Sequence, residues 1–505
     1  MLFDLSVGNL VEPVSGRRWD QAEIRRQVTR RIARLQKFGL LPSDRVFLAF
    51  GNRLEFFAEL LAVWRLGGCA IPIDSRLTAF EVENLARAAA PRLAIVDEET
   101  PADIITTLSA SGLSVMLTSE TGTDEASASL VHLEGDALIL FTSGSTGDPK
   151  GVVHTHRSLR ARWMSLRDHL GVTVFRKTLC MLPTHFGHGL ICNSLFPWLS
   201  GNDLYITQPF RPDLVMRLGM LIDENSITFM SSVPAIWKLA LKLASPPKLG
   251  SLERVHCGSA PLSSHMWEDI RRWSGTRNVC NAYGITETGS WVAGLSAADV
   301  PAEDGLIGHG WGSIIQVLRT NDTSQSLDPE SRCVPGESGY VWLNTPALMK
   351  GYFQRDDLTD KAVVDGWFMT GDIGVLDDQG QLVLRGRERD EINKGGMKVF
   401  PSDIDAVVER FDHTADVCTF ALDDPIYGQN VGIAVVLQDR SDETICALYR
   451  WMKLHLSESK MPMRWWLIAE IPRTSRGKIN RDAVKAACED LSPLDLPGIL
   501  GKFGS

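Results

Sequence analysis

The sequence has few features of a metal-binding or secreted protein. Its nine cysteines are scattered singly, with no CxxC pair and no histidine cluster at zinc spacing. This pattern indicates neither a structural zinc site nor a disulfide framework. We therefore expect reduced, mostly buried thiols, as in a cytoplasmic protein.

Positive charge and long apolar runs are also scarce. The chain has 52 Lys and Arg against 62 Asp and Glu, which gives a formal net charge of −10. This balance argues against a general nucleic-acid-binding surface, because such a surface needs clustered cations. No apolar stretch approaches the roughly 20 residues that span a bilayer, and the N-terminus lacks a signal-peptide pattern. The sequence therefore predicts no nucleic-acid partner, no membrane span and no secretion.

The overall composition is that of an ordinary globular protein. Hydrophobic residues make up 44% of the 505 positions and charged residues 23%. At roughly 150 residues per domain, this length predicts about three structural units with a large buried core.

Two long regions alternate helical and strand patterns. In the first third, helical patterns near 19–38 and 54–66 alternate with the apolar runs RVFLAF, RLAIVD and ALILFTS. Region 179–292 repeats the alternation, with LCML, DLYIT, ITFMSSV and RVHCG as candidate strands. This alternation is typical of βαβ units around a mostly parallel sheet, so we expect two such sheets.

The pattern changes towards the C-terminus. Residues 308–384 contain short strand patterns separated by Gly, Pro and Asp turns, which predict a small β-rich unit. After Arg387, helices and strands mix in a piece of about 115 residues, which is long enough for its own core. The predicted fold class is therefore α/β, with two βαβ-type sheets and a β-rich unit followed by a small α+β piece.

The most informative segment is TSGSTGDPKG, which follows an apolar strand that we expect to end at Phe141. Its three glycines and four hydroxyl side chains can turn N–H and O–H groups towards an anion, as in a phosphate-binding loop. Lys150 adds a positive charge, but its spacing does not fit the common loop GxxxxGK[ST]. A flexible Ser/Gly turn is the alternative. The predicted phosphate-binding residues are Thr142, Ser143, Gly144, Ser145, Thr146, Gly147 and Lys150.

Five later segments join this loop in a resemblance to a known family. The segments HCGSAPL, NAYGITETG, GWFMTGDIG, GRERDEINKGGMKV and PRTSRGKINR begin at His256, Asn281, Gly366, Gly386 and Pro472. Together with the loop they resemble, in the same order, the motifs of the adenylate-forming superfamily, in its acyl-CoA synthetase branch. This superfamily includes acyl- and aryl-CoA ligases, adenylation domains of peptide synthetases and luciferases. The resemblance covers residues 138–481.

The resemblance implies which residues bind ATP and Mg²⁺. Thr286 would touch the α-phosphate, and Glu287 would bind Mg²⁺, for which a carboxylate is a suitable hard ligand. Asp372 would accept hydrogen bonds from the two ribose hydroxyls, because an ionised carboxylate offers two acceptor oxygens. Tyr283 would stack on adenine, and Arg387 would reach the ribose and phosphate. The implied AMP-binding set is completed by Gly258, Ser259, Ala260, Pro261, Asn281, Ala282 and Gly284.

Taken singly, these residues leave other interpretations open. Glu287 would equally be a solvated loop acid, and Asp372 a turn residue. Tyr283 would equally be a buried tyrosine with a satisfied hydroxyl, and Arg387 an exposed arginine in an ion pair.

The C-terminal motifs imply a two-step mechanism. Lys478, which alone would be a solvated lysine, would place its ammonium between the substrate carboxylate and the α-phosphate. In the family, the C-terminal domain then rotates and brings a glycine pair, here Gly395 and Gly396, to the thiol tunnel. Arg389 falls at the hinge position, which is commonly Asp or Lys. The implied catalytic residues are Thr286, Glu287 and Lys478.

The segment PTHFGHGLICNSLF resembles the part of the family that lines the acid pocket. Its candidates are His185, Phe186 and His188, with a core or surface histidine as the alternative. No Asp or Glu occurs between Thr184 and Gly201, where amino-acid-activating members carry an Asp. This absence favours a hydrophobic acid, whether fatty, aryl or polycyclic. The other predicted pocket residues are Trp237, Gly258, Gly284 and Trp291.

The sequence therefore predicts an ATP-dependent acid–thiol ligase. The resemblance implies an N-terminal domain at 1–388 and a small, mobile C-terminal domain at 389–505. We expect ATP, Mg²⁺ and coenzyme A as cofactor and co-substrates, and a cytoplasmic monomer or homodimer. The alternatives are an adenylation enzyme that loads a separate carrier protein, a luciferase-like oxygenase and a non-catalytic nucleotide sensor. The presence of Glu287, Asp372 and Lys478 disfavours the sensor.

Overall fold

The computed structural model describes residues 7–126, 131–143, 149–209, 211–295, 300–320, 329–394, 397–474 and 477–502. Within these ranges the chain forms three β-sheets of 14, 7 and 5 strands. No helix of the described ranges is both long and apolar enough to cross a membrane. All nine cysteines lie in these ranges as free thiols, and eight of them are buried.

The largest sheet has a parallel centre. Arg254–Gly258, which coincides with the predicted strand RVHCG, is buried along its whole length, as expected of a strand covered on both faces. The antiparallel strand Arg17–Trp19 closes one edge. The six parallel strands are, in spatial order, Val279–Ile285, Arg254–Gly258, Phe229–Ser232, Lys177–Cys180, Asp203–Ile206 and Leu10–Glu12.

The predicted β-rich unit continues this sheet beyond its parallel centre. A hairpin reverses the chain after Val279–Ile285, so the following strands add to the sheet in antiparallel orientation. The short strand Val363–Val364 also pairs with this extension. The strands of the extension are, in spatial order, Ser290–Gly294, Leu306–Gly310, Leu382–Arg387, Trp367–Leu376, Gly339–Asn344 and Ile314–Leu318.

The second sheet is built from the first third of the chain. Five of its strands are parallel, which matches the predicted βαβ alternation. In spatial order, the seven strands are Gly351–Tyr352, Pro149–Thr155, Asp136–Ser143, Cys69–Pro72, Arg45–Leu48, Leu93–Val96 and Ser114–Leu117.

The strand before the predicted phosphate loop is longer than the sequence indicates. It runs to Ser143 instead of ending at Phe141, because it pairs antiparallel with Pro149–Thr155 up to Ser143 opposite Pro149. The strands on either side of the loop are thus joined as a hairpin. Of the predicted phosphate-binding residues, those outside the described ranges are Gly144, Ser145, Thr146 and Gly147.

The third sheet lies in the C-terminal part and has a core of its own. Val431, Ile433 and Trp465 belong to this core, which is separate from the core of the larger sheets. The α/β fold class with its α+β C-terminal part is confirmed, and the boundary between residues 388 and 389 stays a prediction. The strands are, in spatial order, Met397–Val399, Ile392–Lys394, Gly428–Leu437 and Thr414–Asp424, with Arg464–Leu467 parallel to Gly428–Leu437.

Helices flank the sheets, and their ends follow ordinary capping rules. Asp20 caps the first long helix by accepting a hydrogen bond from the Glu23 N–H, and Thr78 forms a capping box with Glu81. The α-helices are Gln21–Phe38, Leu54–Arg65, Ala79–Ala89, Ala102–Ala110, His156–Leu170, Phe196–Trp198, Pro212–Met216, Leu218–Asn225, Pro234–Leu243, Ser264–Ser274, Asp356–Ala362, Pro401–Glu409, Asp442–His455, Arg481–Glu489 and Leu496–Gly501. A π-helix spans His188–Leu195, and 3-10 turns span Thr173–Phe175, Thr286–Thr288, Pro329–Ser331, Glu388–Asp390 and Glu458–Lys460.

A buried ionic cluster joins the first two long helices. Glu59 is fully buried and contacts Arg31 Nε at 3.0 Å and Arg34 Nη2 at 2.6 Å. The Thr118 hydroxyl donates to the same carboxylate at 2.9 Å. Because a buried charge is tolerated only when it is paired and hydrogen-bonded, this carboxylate holds both arginines in the interior.

Removing the carboxylate of Glu59 should therefore destabilise the protein strongly. Glu59→Ala leaves two buried guanidinium groups without their counter-ion, and we expect it to lower the free energy of unfolding by about 3–5 kcal/mol. Glu83→Ala is the matched control, because Glu83 pairs with Arg87 on an exposed helix surface and should cost about 0.5 kcal/mol or less. Urea unfolding followed by circular dichroism measures both, and equal small losses would contradict the argument.

Candidate active site

The predicted site residues lie at the carboxyl ends of the parallel strands. Gly258 ends one strand, and its neighbour in the register is Ala282 on the next. The chain after that neighbour carries Tyr283, Thr286 and Glu287. In open α/β sheets this edge is where ligands bind, so the strand order brings the predicted residues to a suitable position.

Three predicted nucleotide-binding residues meet in one cluster. Asp372 is buried and pairs with Arg387 across adjacent strands, with Arg387 Nε 2.9 Å from Asp372 Oδ1. The Tyr283 hydroxyl donates to Asp372 Oδ2 at 2.5 Å. Each carboxylate oxygen keeps a further lone pair, so Asp372 can still accept hydrogen bonds from a ligand.

The negative charge of Asp372 affects the protonation of both of its partners. Asp372 raises the pKa of Arg387, which stays a cation. Burial and then the charge of Asp372 raise the pKa of Tyr283 well above its ordinary value. Tyr283 is therefore a neutral hydrogen-bond donor at physiological pH, and the carboxylate it holds has a fixed orientation.

The turn that carries Thr286 and Glu287 is held from several directions. The Met349 N–H donates to the Glu287 carbonyl at 2.7 Å, and the Tyr352 hydroxyl donates to Glu287 Oε1 at 2.8 Å. His154 Nε2 lies 2.8 Å from the Thr286 carbonyl. Burial lowers the pKa of His154 to about 4, so this ring is neutral and donates its Nε2 proton to that carbonyl. The half-buried carboxylate of Glu287 is thus oriented before any ligand binds.

Lys150 lies on the same side of the site. Its Nζ is 6.0 Å from the centre of the Tyr352 ring, the residue whose hydroxyl holds Glu287. Lys150 and Glu287 therefore both lie beside Tyr352. The last two residues of the strand before the loop are Thr142 and Ser143.

A buried arginine, Arg162, supports this turn and was missed by the sequence analysis. It donates to the Thr288 carbonyl from Nη2 at 2.9 Å and to the Trp311 carbonyl from Nη1 at 2.9 Å, and it also reaches the Thr345 hydroxyl. Burial lowers the pKa of Arg162 to about 10. Its spacing is a sequence signal, because Arg162 falls three residues after Leu159 and four before Leu166, and a cation on that helix face needs polar partners.

Among the described residues, no group of three His, Cys, Asp or Glu side chains could hold a metal ion. Glu287 is the predicted metal ligand. One carboxylate together with phosphate oxygens is a donor set that Mg²⁺ commonly takes, so this side chain fits an ion that arrives with a nucleotide.

Close backbone packing explains why glycine occurs at two positions near the strand ends. A Cβ on Gly258 would lie 2.3 Å from the Ala282 carbonyl oxygen, and one on Gly284 would lie 2.0 Å from the Ser290 carbonyl oxygen. Both positions therefore need glycine for close backbone packing, whether or not they line the acid pocket. Ser259 follows with a positive φ of 66°, an uncommon conformation for a non-glycine residue.

The other residues of the predicted adenine strip differ in exposure. Pro261 is exposed and Ala260 is half-buried. Asn281 is buried and donates from Nδ2 to the Leu306 carbonyl at 3.0 Å, while Ala282 is buried beside it. Asn281 therefore fixes its own strand, whereas Ala260 and Pro261 follow the neighbouring strand and are the accessible end of the predicted strip.

His188 begins the π-helix and connects two strand ends. Its Nδ1 lies 2.9 Å from the Ser259 hydroxyl and its Nε2 lies 2.6 Å from the Ser231 hydroxyl. Its ring packs edge-on against Trp291 at 5.6 Å. Burial, and next the charge of Lys478, lower the pKa of His188 to about 3. His188 is therefore neutral, and Lys478 lies near enough for its charge to act on this part of the site.

The other predicted pocket residues have different surroundings. Phe186 is buried, and its ring centre lies 6.1 Å from that of His188. His185 Nε2 lies 3.4 Å from Asp74 Oδ2. Asp74 is an acid from outside the segment PTHFGHGLICNSLF. Arg76 pairs with the same carboxylate through two contacts of 3.0 Å. Trp237 donates to the Ser232 hydroxyl and packs on a neighbouring helix. The structure thus brings Phe186, His188 and Trp291 together, and Trp237 packs between helices.

The segments that carry Lys478 and the predicted hinge lie in the C-terminal part. The Thr474 N–H donates to the Lys478 carbonyl at 2.8 Å, which forms a narrow turn. Arg389 is exposed in the 3-10 turn Glu388–Asp390, between the last strand of the large sheet and the first of the third sheet. The predicted tunnel residues Gly395 and Gly396 lie outside the described ranges.

A buried carboxylate that is paired with an arginine, together with an oriented acid near the strand ends, is typical of a nucleotide-binding α/β enzyme. Residues 9–353 match the AMP-binding enzyme family, and the chain belongs to that family. Membership confirms the resemblance to adenylate-forming enzymes.

Two relatives and one solved structure illustrate this membership. The chain is 28% identical over 471 residues to the probable CoA ligase CCL9 of Humulus lupulus, covering 88% of this chain and 87% of that protein. It is 27% identical over 494 residues to the long-chain-fatty-acid–CoA ligase FadD13 of Mycobacterium tuberculosis, covering 94% of each. The structure of O-succinylbenzoate coenzyme A synthetase (MenE) from Bacillus subtilis with ATP and magnesium ion has the same fold, with a TM-score of 0.82, 22% identity and coverage of 95% of this chain and 96% of that chain.

The neutral state of His188 predicts a pH-dependent stability. The pKa of His188 is about 3 in the fold, against about 6.5 in an unfolded chain. Between these values the unfolded state binds more protons, so the free energy of unfolding falls as the pH decreases below about 6.5. At pH 5.0 this histidine should cost about 2 kcal/mol relative to pH 7.5.

Urea unfolding at the two pH values measures this effect. His188→Asn should reduce the difference between pH 7.5 and 5.0 by about 2 kcal/mol relative to the parent. His309→Gln removes a histidine from an exposed position and is the control. A difference as large in His188→Asn as in the parent would show that His188 does not contribute.

Proposed function

We propose that this protein is an ATP-dependent acyl-CoA ligase. It activates a hydrophobic carboxylic acid as acyl-AMP and then transfers the acyl group to coenzyme A. The observation that carries the proposal is the cluster of Tyr283, Asp372 and Arg387 beside the oriented Glu287. This cluster occurs in a chain of which 88% and 94% align with two relatives named as CoA ligases.

ATP binding is assigned to the residues around Asp372. Its carboxylate accepts hydrogen bonds from the ribose hydroxyls, because both oxygens keep lone pairs beside those used by Tyr283 and Arg387. The adenine lies along residues 258–261. The loop at 142–150 surrounds the β- and γ-phosphates, and Thr286 contacts the α-phosphate.

Glu287 is assigned as the protein ligand of Mg²⁺. Its carboxylate is half-buried and oriented by the Tyr352 hydroxyl at 2.8 Å, which supports a role that needs a fixed oxygen. When bound, Mg²⁺ neutralises charge on the phosphates. Lys150 contributes further positive charge from the loop side.

The first half-reaction joins the acid to AMP. A carboxylate oxygen of the acid attacks the α-phosphorus, the bond from that phosphorus to the bridging oxygen breaks, and pyrophosphate leaves. Two anions must approach each other in this step. The ammonium of Lys478 reduces their repulsion and offsets the charge that builds in the transition state. The effect of its charge on His188 supports this assignment.

The second half-reaction transfers the acyl group. The sulfur of coenzyme A attacks the carbonyl carbon, the bond from that carbon to the phosphate oxygen breaks, and AMP leaves while the thiol proton passes to solvent. The stretch with Gly395 and Gly396 is assigned to the thiol tunnel. Arg389 is assigned to the hinge, and its exposed turn between two sheets supports a position where the backbone can change direction.

A hydrophobic acid suits the surroundings of His188. The neutral ring of His188 contacts Trp291, and Phe186 lies beside it. The neighbouring acid Asp74 is already matched by Arg76, so it offers no free charge to a substrate ammonium. Burying an ammonium without a partner is costly, and an apolar acid avoids that cost.

The assignment of Lys478 predicts that its removal affects one half-reaction. Lys478→Ala should slow formation of acyl-AMP by about 10²- to 10³-fold, or about 3–4 kcal/mol, as when one preorganised electrostatic donor is removed. Chemically supplied acyl-AMP should still be converted to thioester at near the parent rate. Single-turnover rates measure both steps. Lys485→Ala, at a lysine on the following helix, is the control, and equal losses in both steps would contradict the assignment.

The pocket assignment predicts a preference among acids. Fatty, benzoic, cinnamic or polycyclic acids should include one that drives ATP–pyrophosphate exchange at least about tenfold faster than leucine or phenylalanine, because the segment from Thr184 to Gly201 carries no Asp or Glu to pair with their ammonium groups. A screen of these acids at equal concentration measures the preference. Faster exchange with a free amino acid than with every apolar acid would overturn the substrate class.

A further inference from the structure

A lysine of the large N-terminal part reaches across to the C-terminal part. Lys238 lies on helix Pro234–Leu243, and its Nζ is 2.8 Å from Glu409 Oε1 and 2.6 Å from Asp416 Oδ1. Glu409 ends a helix of the C-terminal part, and Asp416 lies on Thr414–Asp424 of the third sheet. One ammonium therefore ties together elements on the two sides of the predicted domain boundary.

The carboxylate of Asp416 also connects Lys238 to the segment that carries Lys478. Asp416 Oδ2 accepts a hydrogen bond from Arg473 Nη2 at 2.6 Å. Arg473 Nη1 in turn donates to the Gly477 carbonyl at 3.2 Å. The Thr474 N–H, next in the chain, donates to the Lys478 carbonyl at 2.8 Å. A continuous series of contacts thus runs from Lys238 to the turn that carries Lys478.

The charges in this series stabilise the contact between Lys238 and the C-terminal part. Burial disfavours the charge of Lys238, but Glu409 and Asp416 outweigh it and raise the pKa of Lys238. Burial likewise opposes the charge of Asp416, but Lys238 and Arg473 outweigh it and lower the pKa of Asp416. The side chains of Lys238, Glu409 and Asp416 are only 17–22% exposed, so solvent screens their attraction less than on an open surface.

A second ion pair across the same boundary is more exposed. Arg410 pairs with Asp304, and their side chains are 39% and 31% exposed. Arg410 Nη2 also lies 3.4 Å from the Ser264 hydroxyl. Among the described residues, this pair makes no hydrogen bond to the Lys478 turn, and exposed pairs contribute little. Of the two, the Lys238 contact is the one connected to the catalytic residue.

We propose that Lys238 is a positioning residue for Lys478. By pairing with Asp416 and Glu409, it holds the Lys478 turn over the nucleotide site in the orientation that forms acyl-AMP. The inference rests on the proposed function. Because the C-terminal part must leave this orientation before the thiol attacks, Lys238 acts in the first half-reaction only.

Lys238→Met tests the proposal, since methionine keeps the length of the side chain and removes its charge. Single-turnover formation of acyl-AMP should slow by about 5- to 150-fold, the usual range for coupling between parts of a protein. The substrate is the acid that gives the fastest pyrophosphate exchange with the parent. Conversion of chemically synthesised acyl-AMP to thioester should stay near the parent rate. Lys238→Arg should restore most of the first step, because a guanidinium can pair with two carboxylates.

The control is Lys242→Met, one turn further along the same helix at an exposed position. It should leave both half-reactions at the parent rate, and circular dichroism should show the parent fold in all three variants. An unchanged first step in Lys238→Met, an equal loss in both steps, or no recovery in Lys238→Arg would overturn the positioning role. Failure of the parent to release pyrophosphate with any acid would instead overturn the proposed function.

Discussion

The arrangement of the site depends on the contacts of one buried carboxylate, that of Asp372. It receives the Tyr283 hydroxyl at 2.5 Å and the Arg387 guanidinium at 2.9 Å. A buried charge is costly unless it is paired and hydrogen-bonded, so Asp372 holds together the three strands that carry these residues. One strand belongs to the parallel centre of the large sheet and two belong to its antiparallel extension. Arg387 is also the last residue of its strand, and the chain passes from there to the third sheet. This contact therefore determines where the segment leading to Lys478 begins.

The two ionic clusters of the site join different parts of the chain, and the difference suits the roles proposed for them. Asp372 and Arg387 both lie on the large sheet, before the proposed hinge at Arg389. Lys238 also lies before that hinge, whereas its partners Glu409 and Asp416 lie after it. The proposed rotation of the C-terminal part would therefore open the Lys238 contact and leave the Asp372 cluster intact. The proposed ligase needs both properties, because its nucleotide site serves both half-reactions and Lys478 serves only the first.

Local patterns in the sequence predict the strands and the order of the motifs, but they do not predict which distant residues meet. The run RVHCG is a strand over its full length, as its place in the alternation of strand and helix patterns predicts. The strand before the phosphate loop is longer than its apolar run, since hairpin pairing extends it to Ser143. Tyr283 and Asp372 are 89 positions apart, and Lys238 and Asp416 are 178 apart, so no local periodicity links them. For Tyr283 and Asp372 only the family resemblance indicated a common site, and for Lys238 there was no such indication.

Isolation of the intermediate tests the account most directly. The protein is incubated with ATP, Mg²⁺ and the preferred apolar acid without coenzyme A, and the bound nucleotide is analysed by mass spectrometry. The proposed ligase activity predicts acyl-AMP that depends on the acid and that yields acyl-CoA and AMP when coenzyme A is added. Formation of ADP and phosphate, or AMP release that does not depend on the acid, would contradict it.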